Sequence, residues 1–138
     1  MASGVYNRFK FNLLRSSGDL INDTIKVALM ATGHSFDADH DVWTDVSSNE
    51  MTGTGYATGG CILSGDVVTQ DDANDRAVYD ANDTLWGSAS FSAYHAVIYD
   101  TTVTGSPLIA SVDFGGVQTV TSGTFTIQWN AVGILTLS

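Results

Sequence analysis

The chain has 138 residues, 43% of them hydrophobic, and fifteen acids against five bases give it a formal charge of −10. That length suits one domain with a real core and leaves no room for a second, and the apolar content excludes disorder. A single cysteine excludes an intrachain disulfide framework, no apolar run approaches the ~20 residues of a membrane span, and so acidic a body disfavours nucleic acid.

Composition also points to the class of fold. Glycine is abundant, proline occurs once, and Thr, Ser, Val and aromatics recur, a mix that favours short strands joined by turns. Fourteen of the fifteen acids are Asp, a turn and cap former, and only Glu50 is Glu. The charge is unevenly spread. Arg8, Lys10, Arg15 and Lys26 oppose only Asp19 and Asp23 in the first 26 residues, a net +2, whereas one base, Arg76, opposes thirteen acids in the rest, a net −12. A basic N-terminal segment on an acidic body suggests a surface that meets an acidic partner. The N-terminus lacks an apolar h-region, so no signal peptide is expected. Cys61 is expected to be a small buried residue in a protein made in a reducing cytoplasm.

In chain order, residues 4–16 (GVYNRFKFNLLRS) predict the one helix, with Val5, Phe9 and Leu13 as its stripe, widened by Tyr6 and Leu14. Ser3 is its expected N-cap and Ser17-Gly18 its stop. Asp23–Met30 alternates with Ile25, Val27 and Leu29 on one face and reads as a core strand. Residues 34–41 are a polar loop. Trp43 and Val46 anchor the next stretch, and the glycine-rich passage 53–60 reads as a mobile or tightly turned loop. Residues 61–69 predict a strand bent at Gly65. Residues 76–80 predict a short strand after an acidic turn.

Ala89–Asp100 is the longest strand candidate, its apolar end suggesting a central position. Thr101–Ser106 makes a hairpin turn into Leu108–Phe114. Gly115-Gly116 is expected to break that strand, with Val117–Ser122 crossing to a final pair, Thr124–Trp129 and Val132–Leu137. That last strand is expected to close the core. The sum is an all-β chain: an antiparallel β-sandwich or jelly roll of about eight or nine short strands with one N-terminal helix, in a single domain.

Candidate chemistry is sparse. Asp37, Asp39 and Asp41 alternate like the start of a calcium loop, but Val42 stands where the tight-turn glycine should be and Ser48 where the bidentate Glu should be. His34 and His40 with Asp37 or Asp41 have only a non-specific metal spacing. Around Ser35 the closing glycine of a nucleophile elbow is missing. His95, within the most apolar strand, reads as a hydrogen-bonded core or interface histidine, and Cys61 has no nearby histidine to activate it. Abundant Asp alone does not establish a glycosidase pair. No catalytic residue, cofactor or metal is assigned. Trp43, Tyr56 and Trp86 are candidate surface aromatics for a sugar or receptor, although core packing competes for them.

The succession VYNRFKFNLL, DTIKVALM, GTGYATGG, AYHAVIYD, LIASVDFGG and GTFTIQWNAVGILTLS resembles small structural proteins of tailed bacteriophages, in order over nearly the whole chain. The resemblance implies a non-enzymatic virion component similar to capsid decoration (cement) proteins. Such a protein sits on the outer capsid surface, bridges major capsid protein subunits, and is a homodimer or homotrimer that touches neither nucleic acid nor membrane. His95 departs from the Arg-like residue expected there, which weakens any salt bridge carried over to it. The contacts expected for this chain are Arg8, Lys10, Arg15 and Phe9. A tail- or head-associated receptor- or carbohydrate-binding module is the alternative.

Overall fold

The alternation in Ile25–Met30 becomes a strand, β2, buried on both faces in a computed structural model that describes residues 3–138. Ile25, Val27 and Leu29 enter the main core with Trp86, Phe91, Ile98 and Phe125. Ala28 and Met30 enter a second cluster with Tyr6, Val46, Val97, Tyr99 and Leu108. Each fully buried Ile, Leu or Val in these clusters contributes about 1.5–3 kcal/mol.

The apolar stretch at 96–99 lies at the C-terminal end of β6 (Thr84–Asp100), which runs between β2 and β7 (Leu108–Ile127). With β1 (Gly4–Val5) and β3 (Cys61–Ile62) these form an antiparallel sheet in the order β1-β7-β6-β2-β3. A second antiparallel sheet has the order β4-β5-β8, from Val67–Asp71, Arg76–Asp80 and Leu135–Leu137. The chain is thus mostly strand, in two antiparallel sheets with one helix, as expected. The five-plus-three arrangement does not establish a jelly roll.

Several boundaries differ from the sequence expectations. The helix α1 spans Asn7–Leu14, not 4–16, because Gly4 and Val5 pair with Ser111 and Ala110 of β7. Tyr6, still extended, precedes the first helical turn, and the Ser3 hydroxyl accepts the Asp113 N–H at 2.9 Å instead of capping. The helix stops at Arg15. Ser16 turns left-handed at φ 57°, Ser16 N–H donates to Leu13 O, and Ser17 N–H donates to Asn12 O. These are the two hydrogen bonds of a Schellman motif.

The bend at Gly65 separates two strands of different sheets, β3 and β4, so residues 61–69 are not one strand. Cys61 is half-buried at the edge of the core rather than enclosed. Nor do Gly115 and Gly116 end β7. A Cβ on either would meet nothing within 4 Å, and the β6–β7 pairing absorbs irregularities through four register shifts. Val117–Ile127 therefore continues β7 instead of forming a crossing and a new strand. The last strand joins the small sheet against β5 with Leu137 well exposed, so it does not close the core.

The glycine-rich passage is tightly turned and locked. The Glu50 carboxylate accepts the Tyr56 hydroxyl at 2.7 Å and the Gly59 N–H at 2.6 Å. The Tyr56 oxygen itself accepts the Leu29 N–H at 3.0 Å. Burial and then Glu50 push the Tyr56 pKa strongly upward, so the phenol stays protonated and donates. Tyr56→Phe leaves the Leu29 N–H and one carboxylate oxygen without this partner. We expect a loss of about 1–3 kcal/mol in urea unfolding; an unchanged midpoint would show that the loop holds without it.

Candidate interaction face on the N-terminal helix

At about 100° per residue, α1 divides its side chains into two faces. Phe9 and Asn12 point inward and are buried beside Tyr6, which precedes the helix. Leu14 and Phe11 lie on the opposite arc, with Arg8 and the C-cap residue Arg15 on its flank. Leu14 is 91% exposed, Phe11 47% and Leu13 41%, so three large apolar side chains stand in solvent on the one basic element, and Leu13 does not join the inward stripe expected of it. The guanidinium groups of Arg8 and Arg15 lie 5.5 and 5.1 Å from the Phe11 ring centre. Positions three and four apart on a helix are neighbours, which puts Phe11 between the two cations. Lys10 flanks this arc, exposed.

The acidic loop clamps the start of the helix. Asp41 accepts a 2.6 Å charged hydrogen bond from Arg8, Asp39 accepts the Asn7 amide at 2.9 Å, and the Asn7 N–H donates to Ala38 O. Asp37 accepts the Asp39 N–H of its own turn. The three alternating carboxylates thus serve three different partners. Among the described residues no three His, Cys, Asp or Glu side chains are grouped to hold a metal ion.

The sequence-derived contact set therefore changes in two places. Phe9 is buried in the main core, where its place on the inward stripe puts it, and so cannot meet a partner. Arg8 is in part occupied by Asp41. Lys10 and Arg15 form no ion pair among the described residues. Phe11 is the residue that sequence reasoning missed, and Leu14, expected on the inward stripe, stands outward instead. The signal was present in KFNLLR, where Phe11 and Leu14 lie three apart and off the Phe9 face.

The candidate surface aromatics are occupied by packing. Trp86 is 6% exposed and meets the Phe125 ring edge-on at 5.9 Å. Tyr56 packs against Trp86 and Phe91. Trp43 stacks on Tyr99 at 4.4 Å with 8° between the planes, and Tyr99 donates to Gly59 O. Trp86 is thereby removed from any sugar-binding surface, and the other two rings each spend a face on internal stacking.

A histidine pair is buried on the other side of the large sheet. His34 is 3% exposed rather than part of a solvated loop, and its Nε2 lies 3.0 Å from the Ser111 hydroxyl. His95, as expected, is a buried histidine; it meets His34 edge-on at 5.0 Å and lies 3.6 Å from an Asp113 oxygen. Burial pushes the His34 pKa down to about 4, with the neighbouring histidines adding to it, and lowers that of His95 against the pull of Asp113. Both imidazoles are neutral at pH 7. Ser111 is 2% exposed, and no carboxylate holds His34 Nδ1, so the pair lacks the accessible nucleophile and oriented base of a hydrolase.

No known protein family, curated protein or solved structure matches the chain. Among the described residues, no helix is long and apolar enough to cross a membrane. The geometry on α1 is therefore the strongest pointer to function.

Proposed function

We propose that this chain is a non-enzymatic decoration protein of a tailed-bacteriophage capsid. It binds the outer shell surface through the outward face of α1 and stabilises the shell by bridging major capsid protein subunits. The observation that carries this reading is the basic, apolar face of Leu14, Phe11, Arg15 and Lys10 on a chain of net charge −10. Exposed apolar side chains rimmed by charge are what a protein-binding surface offers. The order of motifs along the chain, similar to phage structural proteins, supplies the class of partner. A clip that binds the assembled shell better than its separate subunits stabilises the assembly by mass action, and engaging two subunits at once adds avidity. The carbohydrate- or receptor-binding alternative loses support from the packing of Trp86 and the stacking of Trp43 and Tyr56.

Leu14→Asp combined with Arg15→Glu tests the face, since neither side chain is buried in the fold. We expect co-sedimentation with expanded shells lacking this protein to weaken by about 10- to 100-fold, with the far-UV circular dichroism unchanged. Undiminished binding of the folded variant would overturn the assignment.

A further inference from the structure

The β6–β7 pair extends beyond the large sheet. β2 pairs only with Ile25↔Asp100 through Met30↔His95, and β1 covers β7 only at Ala110 and Ser111. Further along, β6 and β7 continue through Phe91↔Val120, Ser92↔Thr119 and Ala93↔Gln118 as a two-stranded ribbon. An isolated bridge, Thr54↔Ser90, adjoins β6. On the outer edge of β7 past Phe114, no third strand pairs with the ribbon among the described residues. Two strands alone are marginal in water, and an open edge invites pairing with another chain.

Proteins commonly blunt such an edge with charge or proline, and this one carries neither. From Phe114 to Ser138 there is no Asp, Glu, Lys, Arg, His or Pro. Between the residues with positive φ, Gly115, Gly116 and Ser122, lies the run Val117–Thr121, in which Gln118–Val120 pair in register with β6, Val117 and Thr121 flank the two register shifts, and Val117 is 50% exposed. Valine and threonine favour an extended chain, and the run is compatible with itself when reversed about Thr119. Val117 would then face Thr121, Gln118 would face Val120, and Thr119 would face its own copy. The Thr119 hydroxyl already bonds that of Ser92 at 2.8 Å, so the self-pair would extend a hydroxyl row across the sheet.

Charge selects the occupant. Two molecules of charge −10 repel wherever their acidic surfaces approach within a Debye length of ~10 Å, and the uncharged edge is where they can meet without opposing carboxylates. We infer that Val117–Thr121 is the site where two copies of this chain join, antiparallel, about a two-fold axis at Thr119. The two ribbons become one four-stranded sheet. Because the same edge is used on both copies, the contact closes at a dimer. This inference is independent of any capsid partner.

Sedimentation of the full chain at about 10–100 µM tests it, a range in which micromolar or tighter pairing is populated. The wild type should run at twice the 14.6 kDa chain mass. Val117→Lys with Thr121→Lys places Lys against Lys across the axis and should give monomers, although added Lys lowers the overall repulsion. Val117→Lys with Thr121→Glu places Lys against Glu and should restore the dimer. A wild-type monomer or trimer, a dimeric Lys/Lys variant, or a folded monomeric Lys/Glu variant would each overturn the proposal. Hydrogen exchange on the wild type needs no substitution. Protection of the alternate amides of 117–121 that point away from β6 should rise with protein concentration, and concentration-independent exchange at all of them would refute the pairing.

Discussion

Asp100→Asn should make the protein more stable at pH 7.5, by about 1–3 kcal/mol. Asp100 ends β6 and is 4% exposed. One of its oxygens accepts the N–H groups of Thr102 at 2.9 Å and Val103 at 3.3 Å, shaping the β6–β7 turn. Burial, and then a hydrogen bond with Asp23, pushes its pKa up to about 6. A folded pKa above the unfolded value near 3.8 means a contribution fully present below that value and lost as pH rises through 6. At pH 7.5 the native fold therefore holds a carboxylate in a place that favours the acid. Asparagine keeps the acceptor for the turn and supplies an N–H toward Asp23.

His34 works in the opposite direction. Its folded pKa, about 4, lies below the ordinary 6.5, so its contribution is present above 6.5 and is lost as pH falls toward 4. Between these limits the two groups oppose one another and flatten the wild-type profile. In Asp100→Asn the urea midpoint should rise with pH from 4.5 to 6.5, the His34 slope uncovered. In His34→Gln, which can still bond Ser111, it should fall over the same range. Working above pH 4.5 avoids most of the protonation of the loop carboxylates Asp19 and Asp45, held low by the hydrogen bonds they accept. An Asp100→Asn variant no more stable than wild type at pH 7.5 would show that the site accommodates the charge.

Gly60→Ala should cost about 2–5 kcal/mol or abolish folding. Gly60 enters β3 at φ +83°, and a Cβ there would overlap the Val27 carbonyl oxygen and lie 2.7 Å from Ala28 Cα. Both belong to the backbone of β2, which is buried on both faces and cannot retreat. Gly59 next to it, at φ +92°, is the control. Its added Cβ would meet the Tyr99 hydroxyl at 3.4 Å, the end of a side chain, so Gly59→Ala should cost about 1–2 kcal/mol. Equal midpoints for the two variants in urea would show that backbone contact at Gly60 is not what limits this turn.

How much of the molecule was legible follows from the range of each interaction. Period-two alternation is local, so Ile25–Met30, Arg76–Asp80 and the hairpin through Thr101–Ser106 were readable from side chains a few residues apart. The charge split was equally local, and it singled out the helix that bears the proposed binding face. Helical periodicity put Phe9 on the inward stripe, where it is buried, but it does not say where the helix begins. Pairing of Gly4 and Val5 with β7, more than a hundred residues away, decided that.

The remaining differences have the same cause. Gly115-Gly116 interrupts the ladder to β6, which has no pair between Asp113 and Gln118, yet pairing resumes at Gln118 and the strand continues. Residues 61–69 looked continuous because nothing local distinguishes β2 from β5 as a partner. His34 looked solvated in its polar segment until the fold placed Ser111 and His95 against it. Sequence alone determined the antiparallel β class, the single helix and the location of positive charge, because propensity and alternation are properties of neighbours in the chain. Only tertiary pairing decided which strand edges were filled, and so which stretch of β7 has no neighbouring strand on its outer edge among the described residues.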